Sequence, residues 1–482
     1  MQATRTRSRW LTLAAVVFAV FVTALDNTVV NVALPSIQRD LHLGLSGLTW
    51  IVNGYILSFA VLLLTGGRVA DTWGRRRAFL TGLALFTATS ALAGVAPGAG
   101  LLIAARVLQG VGGALMTPAT LAIISDVFPD ERERATAVGI WAAVGALGFA
   151  VGPLVGGLIA QNIHWSWIFF VNVPIGLVGL TLGARLIPES KDPDAASRFD
   201  IAGLSVISGA LVALTYALIK ANDYGWDSPV IFGLLAVAVA GMFAFVRIER
   251  RTATPMVDLS LFRIRAFSGA NLVVMIVQLA TFGVLLYLSL YLQGVLHYSP
   301  VRAGATLLPW IGMVIVLAPF APKLAEWVSV RWLVTAGVVL MGVAMLMFAG
   351  LGQHSGFVAT LPALMLGGIG GALTTPLSNI VIGSVPTAKA GIASGIHNTF
   401  RETGGSFGVA VIGAVFAAAQ SHALSHGSTP TAAFVSGYSN GLRVAALIVF
   451  AGAVFAAWML REGRDGATVE AAGLGEPVPT VA

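Results

Sequence analysis

The sequence predicts an all-α membrane protein with fourteen transmembrane helices, arranged as two six-helix bundles with two further helices inserted between them. Three observations carry that expectation. The first is composition: of 482 residues, 57% are hydrophobic and only 10% are charged, whereas a soluble domain carries about 25% charged residues. So few charges cannot cover a water-facing surface. The second is a series of apolar runs of about 20 residues, the length that crosses a bilayer as a helix. The third is an internal repeat that relates the first part of the chain to the last.

The runs fall at 11–34, 46–66, 78–97, 100–124, 135–160, 166–187, 200–220, 229–247, 267–292, 302–322, 330–350, 357–382, 390–419 and 440–460. Turn or charge signals separate them, such as Pro97-Gly98, Pro129-Asp130 and Ser299-Pro300. The first run follows Arg5, Arg7 and Arg9, as the core of a secretory signal would. It is too long for one and lacks a convincing small-residue cleavage site, so it reads as a retained span. With the N-terminus inside and the spans alternating, 22 of the 28 Lys and Arg residues fall on cytoplasmic segments. Only Arg39, Lys220, Arg302 and Arg443 fall outside, and Arg106 and Arg401 lie within spans. Positive charge keeps to the inner side of a membrane, so both termini are expected in the cytoplasm. One miscounted span would spoil the asymmetry, which therefore supports the even count. The net charge of +7 is accordingly read as an orientation signal, not as a nucleic-acid surface. Low lysine with abundant Ala, Gly, Arg and Val points to a high-GC bacterial source and its inner membrane.

Three short segments return later in the chain. GGALMTP (112–118) recurs as GGALTTP (370–376), GRVADTWGRRR (67–77) as the fainter PKLAEWVSVRW (322–332), and GALGFAV (145–151) as GSFGVAV (405–411). The offsets are 258, 255 and 260 residues, and parallel repeats of this kind are a transporter plan. The expected organisation is an N-terminal bundle (1–187), a linker with two extra spans (188–266), a C-terminal bundle (267–461) and a disordered cytoplasmic tail (462–482), which is polar and contains Gly and Pro.

Several stretches carry chemistry. GGRVADTWGRRR (66–77) joins the second and third runs. There Gly67 and Gly74 permit tight backbone turns, and Asp71 can accept hydrogen bonds or sit at a positive helix start. Arg75, Arg76 and Arg77 suit an anionic inner leaflet. In the fifth run Gly145, Gly148, Gly152, Gly156 and Gly157 form a small-residue stripe that lets backbones approach closely, and Pro153 can kink the helix. The second-half echo has Ile412-Gly413 in place of Gly152-Pro153. Of 21 acidic residues, only Asp26 and Glu402 lie well inside spans. A central carboxylate costs about 2.5–3.5 kcal/mol on insertion scales and marks function. Asp26 and Arg106 lie at similar depths, roughly 12 Å from the outer end for Asp26, so each can influence the other. Glu402 adjoins Arg401 in HNTFRETGG, with His397 and Asn398 just before it.

These segments resemble the major facilitator superfamily. GGRVADTWGRRR is similar to its loop signature, LIAARVLQGVGGA (102–114) to its fourth-span arginine motif, and GALGFAVGPLVGG (145–157) to the fifth-span motif of its antiporters. LDNTVVNVALP (25–35) and WSWIFFVNVPIG (165–176) resemble signatures of the fourteen-span drug:proton antiporter branch. The resemblance covers about residues 10–460 and implies the major facilitator fold. It implies a proton-coupled exporter of lipophilic, often cationic drugs or antibiotics. The loop residues Gly67, Asp71, Gly74, Arg75 and Arg76 would form a conformational latch, and the fifth-span glycines a bendable seam between the bundles. The plainer alternatives are arginines that only fix topology and glycines that only pack.

Asp26, with Arg106, and Glu402 are the expected proton-coupling groups; a static buried pair and a polar packing network are the alternatives. The expected substrate cavity comprises Asn31, Trp50, Asn53, Tyr55, Gln109, Gln278, Tyr287, Tyr291, Asn379, Asn398 and Arg401. Trp50, Asn53 and Leu57 share one helical face, and Tyr55 enters only through the resemblance. Drug cavities are mostly apolar with a few polar anchors, and aromatic rings attract organic cations. There is no GxxxxGK[ST] loop for ATP, no nucleophile constellation and no cysteine. No enzymatic activity, metal or cofactor is therefore expected, and the energy source is the proton gradient. The expected partners are a small lipophilic substrate, protons and the bilayer, for a chain acting as a monomer. A transporter of one endogenous metabolite is the competing expectation, and a non-transporting membrane sensor the alternative of another class.

Overall fold

The computed structural model describes residues 2–191, 200–252, 255, 257–386 and 389–460, and the tail at 462–482 lies outside them. Among the described residues there is no strand. Fourteen helices are long and apolar enough to cross a membrane. They are α1 (Arg9–Asp40), α2 (Leu45–Trp73), α3 (Arg75–Gly94), α4 (Ala99–Val127), α5 (Glu131–Asn162), α6 (Trp167–Leu186) and α7 (Ile201–Tyr224). These are followed by α8 (Pro229–Glu249), α9 (Arg265–Gly294), α10 (Pro300–Val328), α11 (Val330–Ala349), α12 (Phe357–Gly383), α13 (Gly391–Ser425) and α14 (Pro430–Met459). Each expected run lies on one of them, and most helices run several residues past the apolar limits. A helix satisfies its own backbone groups, so it need not stop where the apolar stretch stops. Polar caps set several starts. Asp130 accepts from Glu133 N at 2.9 Å ahead of α5, and Ser228 and Thr429 do the same for α8 and α14.

Three spans are interrupted. α6 breaks at Val171, between Trp167–Phe170 and Asn172–Leu186. α10 passes through a 3-10 turn at Ala318–Phe320. α12 breaks between Phe357–Leu373 and Leu377–Gly383, at Pro376, which cannot donate to the helix ladder. Its counterpart Pro118 sits inside a continuous α4.

The chain forms two compact units, Met1–Leu204 with Ser299–Ala305, and Ser205–Tyr298 with Thr306–Ala482. In the first, α1 packs on α5, α4 lies against both α2 and α3, and α6 packs on α1 and α3. In the second, α9 packs on α13, α12 against α10 and α11, and α14 on α9 and α11. The two pairings are the same in order, which is the internal repeat in three dimensions.

The repeat extends to single residues. A Cβ on Gly82 would lie 2.6 Å from Gly112 O, and one on Gly112 would lie 2.7 Å from Gly82 O. In the second unit Gly337 and Gly370 meet in the same way, at 2.8 and 2.5 Å. Close crossing of α3 with α4, and of α11 with α12, thus requires glycine on both sides. The tight turn after α2 is made by Gly74, with φ 131°, and that after α10 by Ser329, with φ 56°. His42 after α1 and His297 after α9 both have φ 52°. That last correspondence links two Leu-His steps 255 residues apart. The inserted helices α7 and α8 meet where Gly241 approaches Ala210, and Ala217, Ala221 and Ile231 cluster nearby. Asn222 Nδ2 on α7 donates to Ala414 O on α13 at 2.7 Å.

Candidate functional site

Asp26, midway along α1, is fully buried, and Arg106 of α4 is 2% exposed. The two form an ion pair through Arg106 Nη1 and Asp26 Oδ2. The other carboxylate oxygen, Oδ1, accepts from Gln109 Nε2 and from Asn172 Nδ2, each at 3.0 Å. Both amides also donate to Ser90 Oγ of α3, at 2.6 and 3.1 Å. Arg106 has further acceptors: Gln109 Oε1 at 2.7 Å for Nη1, and Ile51 O at 3.2 Å for Nε. Its guanidinium lies 4.4 Å from the centre of the Tyr55 ring, a distance for cation–π attraction. Five helices therefore converge on one buried ion pair: α1 carries the carboxylate, α3, α4 and α6 supply its polar partners directly or through Ser90, and α2 adds a carbonyl and a ring to the arginine.

Of the residues singled out from sequence, the structure brings together Asp26, Arg106, Gln109 and Tyr55. Ser90 and Asn172 were missed. Asn172 stands inside the quoted WSWIFFVNVPIG stretch, and its position after six apolar or aromatic residues and one serine was the available signal. Ser90 lies in a Ser/Thr/Ala-rich helix and carried none. At the far end of α1, Asp40 accepts from Trp165 Nε1 at 2.6 Å and faces His164 Nε2 at 3.4 Å, a second tie between α1 and the start of α6.

The loop between α2 and α3 makes a separate polar centre. Arg75 donates to Asp71 Oδ1 from Nε and Nη2, both at 3.1 Å, and pairs through Nη1 with Asp126 at the end of α4. The stretch after α6 folds over it. Ser190 Oγ donates to Asp126 Oδ2 at 2.5 Å, Arg75 N donates to Ser190 O at 2.9 Å, and Arg76 N donates to Glu189 Oε1 at 3.2 Å. Arg76 also reaches Ala184 O. Glycine at 74 is required by its positive φ; a Cβ there would also lie 2.6 Å from Glu189 Oε1, a side-chain tip that can move aside. Gly67 differs from expectation. It lies inside α2, not at a turn, where a Cβ would only touch Pro118 at 3.5 Å. The close approach belongs to its neighbour Gly66, whose Cβ would fall 1.9 Å from Ala114 O.

The glycine stripe of α5 divides between two neighbours. Gly145, Gly148, Gly152 and Gly156 lie against α1 of the same unit, meeting Val20, Phe21, Thr28 and Val29. Thr28 Oγ1 donates to Phe149 O at 3.1 Å across this contact. Gly157 is turned the other way, toward Pro300, and the carbonyl of Pro153 lies against Gly304. Helical periodicity shows that glycines share a face but not which neighbour that face meets. In the second unit the knob and hole are exchanged: Ile412 projects toward Gly283.

In that unit Glu402 is 2% exposed. Its Oε1 accepts from Arg401 at 2.8 Å (Nη2) and 3.2 Å (Nε), and its Oε2 is buried without a hydrogen-bond partner. Arg401 curls back to reach its chain neighbour although the two start about 100° apart on the helix. His397 does not join them: its Nε2 contacts Ser378 Oγ at 3.0 Å and its Nδ1 contacts Asn271 Oδ1 at 3.3 Å.

The remaining cavity candidates are dispersed. Asn31 donates to Asn27 O within α1. Asn53 is fully buried with neither amide atom partnered, and Trp50 is half-buried. Asn379 is exposed, and Gln278 and Asn398 are half-buried. Tyr287 and Tyr291 depart from the expected cavity role. Both are fully buried, their hydroxyls donate to Val409 O (2.9 Å) and Gly352 O (2.5 Å), and Tyr291 stacks on Tyr438 at 4.8 Å. A buried phenol needs a partner for its O–H, and here the main chain provides it.

Fourteen membrane-length helices in two repeated groups, with charges buried among them, define a class: a polytopic membrane transporter. The sequence profile of the Major Facilitator Superfamily matches residues 16–409, and the chain belongs to that superfamily. It is 37% identical over 471 residues to the puromycin resistance protein pur8 of Streptomyces alboniger, covering 96% of this chain and 93% of the relative. It is 38% identical over 415 residues to the multidrug resistance protein Stp of Mycobacterium tuberculosis, covering 86% and 76%. A crystal structure of the peptide transporter POT in complex with sulfate shares the fold, with a TM-score of 0.67 at 16% identity over 95% of this chain and 96% of that one.

Proposed function

We propose that the chain is a proton-coupled exporter of lipophilic drugs or antibiotics, cationic ones among them, working by alternating access of its two bundles. The observation that carries this reading is the environment of Asp26. A buried carboxylate that binds a proton leaves its arginine partner without a counter-ion, a loss that ordinarily costs several kcal/mol. Arg106 keeps Gln109 Oε1, Ile51 O and the Tyr55 ring when Asp26 is neutral. The carboxyl can therefore load and release a proton without stranding the cation. Puromycin resistance and multidrug resistance are the activities named for the relatives, and they support drugs or antibiotics as the cargo.

In this reading a proton entering from outside neutralises Asp26, the bundles exchange conformation, and release to the cytoplasm restores the ion pair. Each charge moved across 100 mV supplies about 2.3 kcal/mol. No bound cofactor is needed, and the protein acts as a monomer in a bacterial inner membrane with both termini in the cytoplasm. Asp71, Gly74, Arg75 and Arg76, with Asp126, serve as the latch that biases one conformation. Glu402 is a second proton or cation site, supported by its unpartnered buried oxygen. A transporter of one endogenous metabolite would give the same intramembrane chemistry with a narrow substrate range.

The test is transport in everted vesicles with a substrate panel and a pH indicator. Substrate-triggered proton release from acid-loaded vesicles is expected for several lipophilic compounds. In Asp26→Asn it should disappear while the protein remains folded. Full coupling in that variant would overturn the role of Asp26, and response to a single metabolite would favour the second reading.

A further inference from the structure

Asn172 opens the second segment of α6, just after the break at Val171. Its side chain is fully buried, its Nδ2 donates to Asp26 Oδ1 and Ser90 Oγ, and its Oδ1 is buried without a partner. The orientation of the amide follows from chemistry: an ionised carboxylate only accepts, so the NH2 side must face it. An orphaned buried carbonyl oxygen is costly, and an alanine or valine here would avoid that cost. The position is thus occupied by a group whose useful end is its donor.

We propose that Asn172 is a positioning residue for the proton step, holding Asp26 ionised until the proton is delivered, with Ser90 as the anchor that aims its NH2 group. The proposal rests on the reading of Asp26 as the coupling carboxylate. Ser90 Oγ accepts from Gln109 and Asn172 together, which turns both amides so that each also donates to Asp26 Oδ1. Donors to the charged form of a carboxyl favour that form. Asn172, Gln109 and Ser90 are neutral at every accessible pH, so they set the balance at Asp26 without titrating themselves.

The charged groups on the elements packed against α1 leave Arg106 as the ionic partner at this depth. Glu133 of α5 pairs with Arg9, 17 residues along α1 from Asp26, or about 25 Å. Asp40 and His164 face each other at the opposite end, 14 residues or about 21 Å away. Arg68 and Asp71 of α2, Asp126 of α4, Glu131, Arg132 and Arg134 of α5, and Arg185 of α6 lie at the end that carries Arg9.

The experiment is a pH titration of the full-length protein in lipid vesicles by infrared difference spectroscopy. The Asp26 carboxyl band is assigned by its loss in Asp26→Asn. In Asn172→Ala the midpoint should move to higher pH by about one unit, roughly a tenfold gain in proton affinity. Ser90→Ala should move it in the same direction by less. Thermal unfolding of each variant separates loss of fold from loss of positioning. An unmoved or lowered midpoint in either folded variant overturns the proposal, as does a band that titrates in no variant between about pH 4 and 9. The transport assay of Asp26→Asn reports separately on the underlying reading. If that variant loses coupling while Asn172→Ala leaves the midpoint unmoved, only the positioning role fails.

Discussion

Single atoms decide what several positions tolerate. On α5, Gly156 faces Val29 O, and a Cβ there would stand 2.5 Å from it. Backbone cannot retreat as a side-chain tip can, so Gly156→Ala should lower stability by about 1–3 kcal/mol. Gly139, on the same helix, has nothing within 4 Å of its Cβ position, and Gly139→Ala should raise stability by about 0.5–1 kcal/mol. Thermal unfolding in detergent gives both signs in one experiment. At the buried pair, Arg106→Lys keeps the charge but loses the fork that reaches Asp26, Gln109 and Ile51 together. Transport should fall at least tenfold, with the protein still folded. A lysine variant with wild-type transport would mean that only the charge matters.

At the scale of elements, polar ties hold the ends of spans while apolar contacts and glycine crossings hold their lengths. Asp258 ties the segment before α9 to Lys389, just ahead of α13, at 2.7 Å, and also accepts from Ser260. Burial pushes the Asp258 carboxyl up, but the hydrogen bonds from Lys389 and Ser260 and the lysine charge outweigh it and hold the group below its ordinary value. A lowered carboxyl stabilises the fold above the unfolded value, about 3.9, and loses that contribution as pH falls through the lowered value. Wild type should therefore melt above Lys389→Met at neutral pH, with the difference shrinking as pH falls below about 4 and lost only once pH has passed through the lowered value. Melting curves for both proteins across that range check it. A gap that persists in acid would assign the effect to packing of the lysine stem.

For the whole molecule the question is which ends face which side. The chain has no cysteine, so a single introduced thiol reports one place. Gly44, between α1 and α2, and Gly391, at the start of α13, both have open space at Cβ. An even count of fourteen spans with the N-terminus inside sets them on opposite faces. A membrane-impermeant maleimide on intact cells should label Gly44→Cys and not Gly391→Cys, and everted vesicles should reverse the result. Labelling of both from one side would break the parity of the twelve spans up to Gly391.

The sequence by itself determined that this is a membrane protein of fourteen spans in two related halves, because apolar length, charge asymmetry and repeated motifs are properties of the linear chain. It also pointed to Asp26 and Glu402, since a carboxylate within an apolar run is visible without a fold. What it could not determine was partnership. Asn172 reaches Asp26 across 146 residues and Ser90 across 82, and Arg76 meets Glu189 across 113. The seam glycines could be grouped by spacing, but not assigned to α1. Such contacts depend on how each helix is rotated and how deep it sits against its neighbours. Hydrophobic periodicity limits that rotation only to a broad face, and in a span that is apolar nearly all round it barely limits it at all. Tertiary packing alone decided which polar atoms meet. The balance at Asp26 is therefore a property of five converging helices and not of any one stretch of sequence.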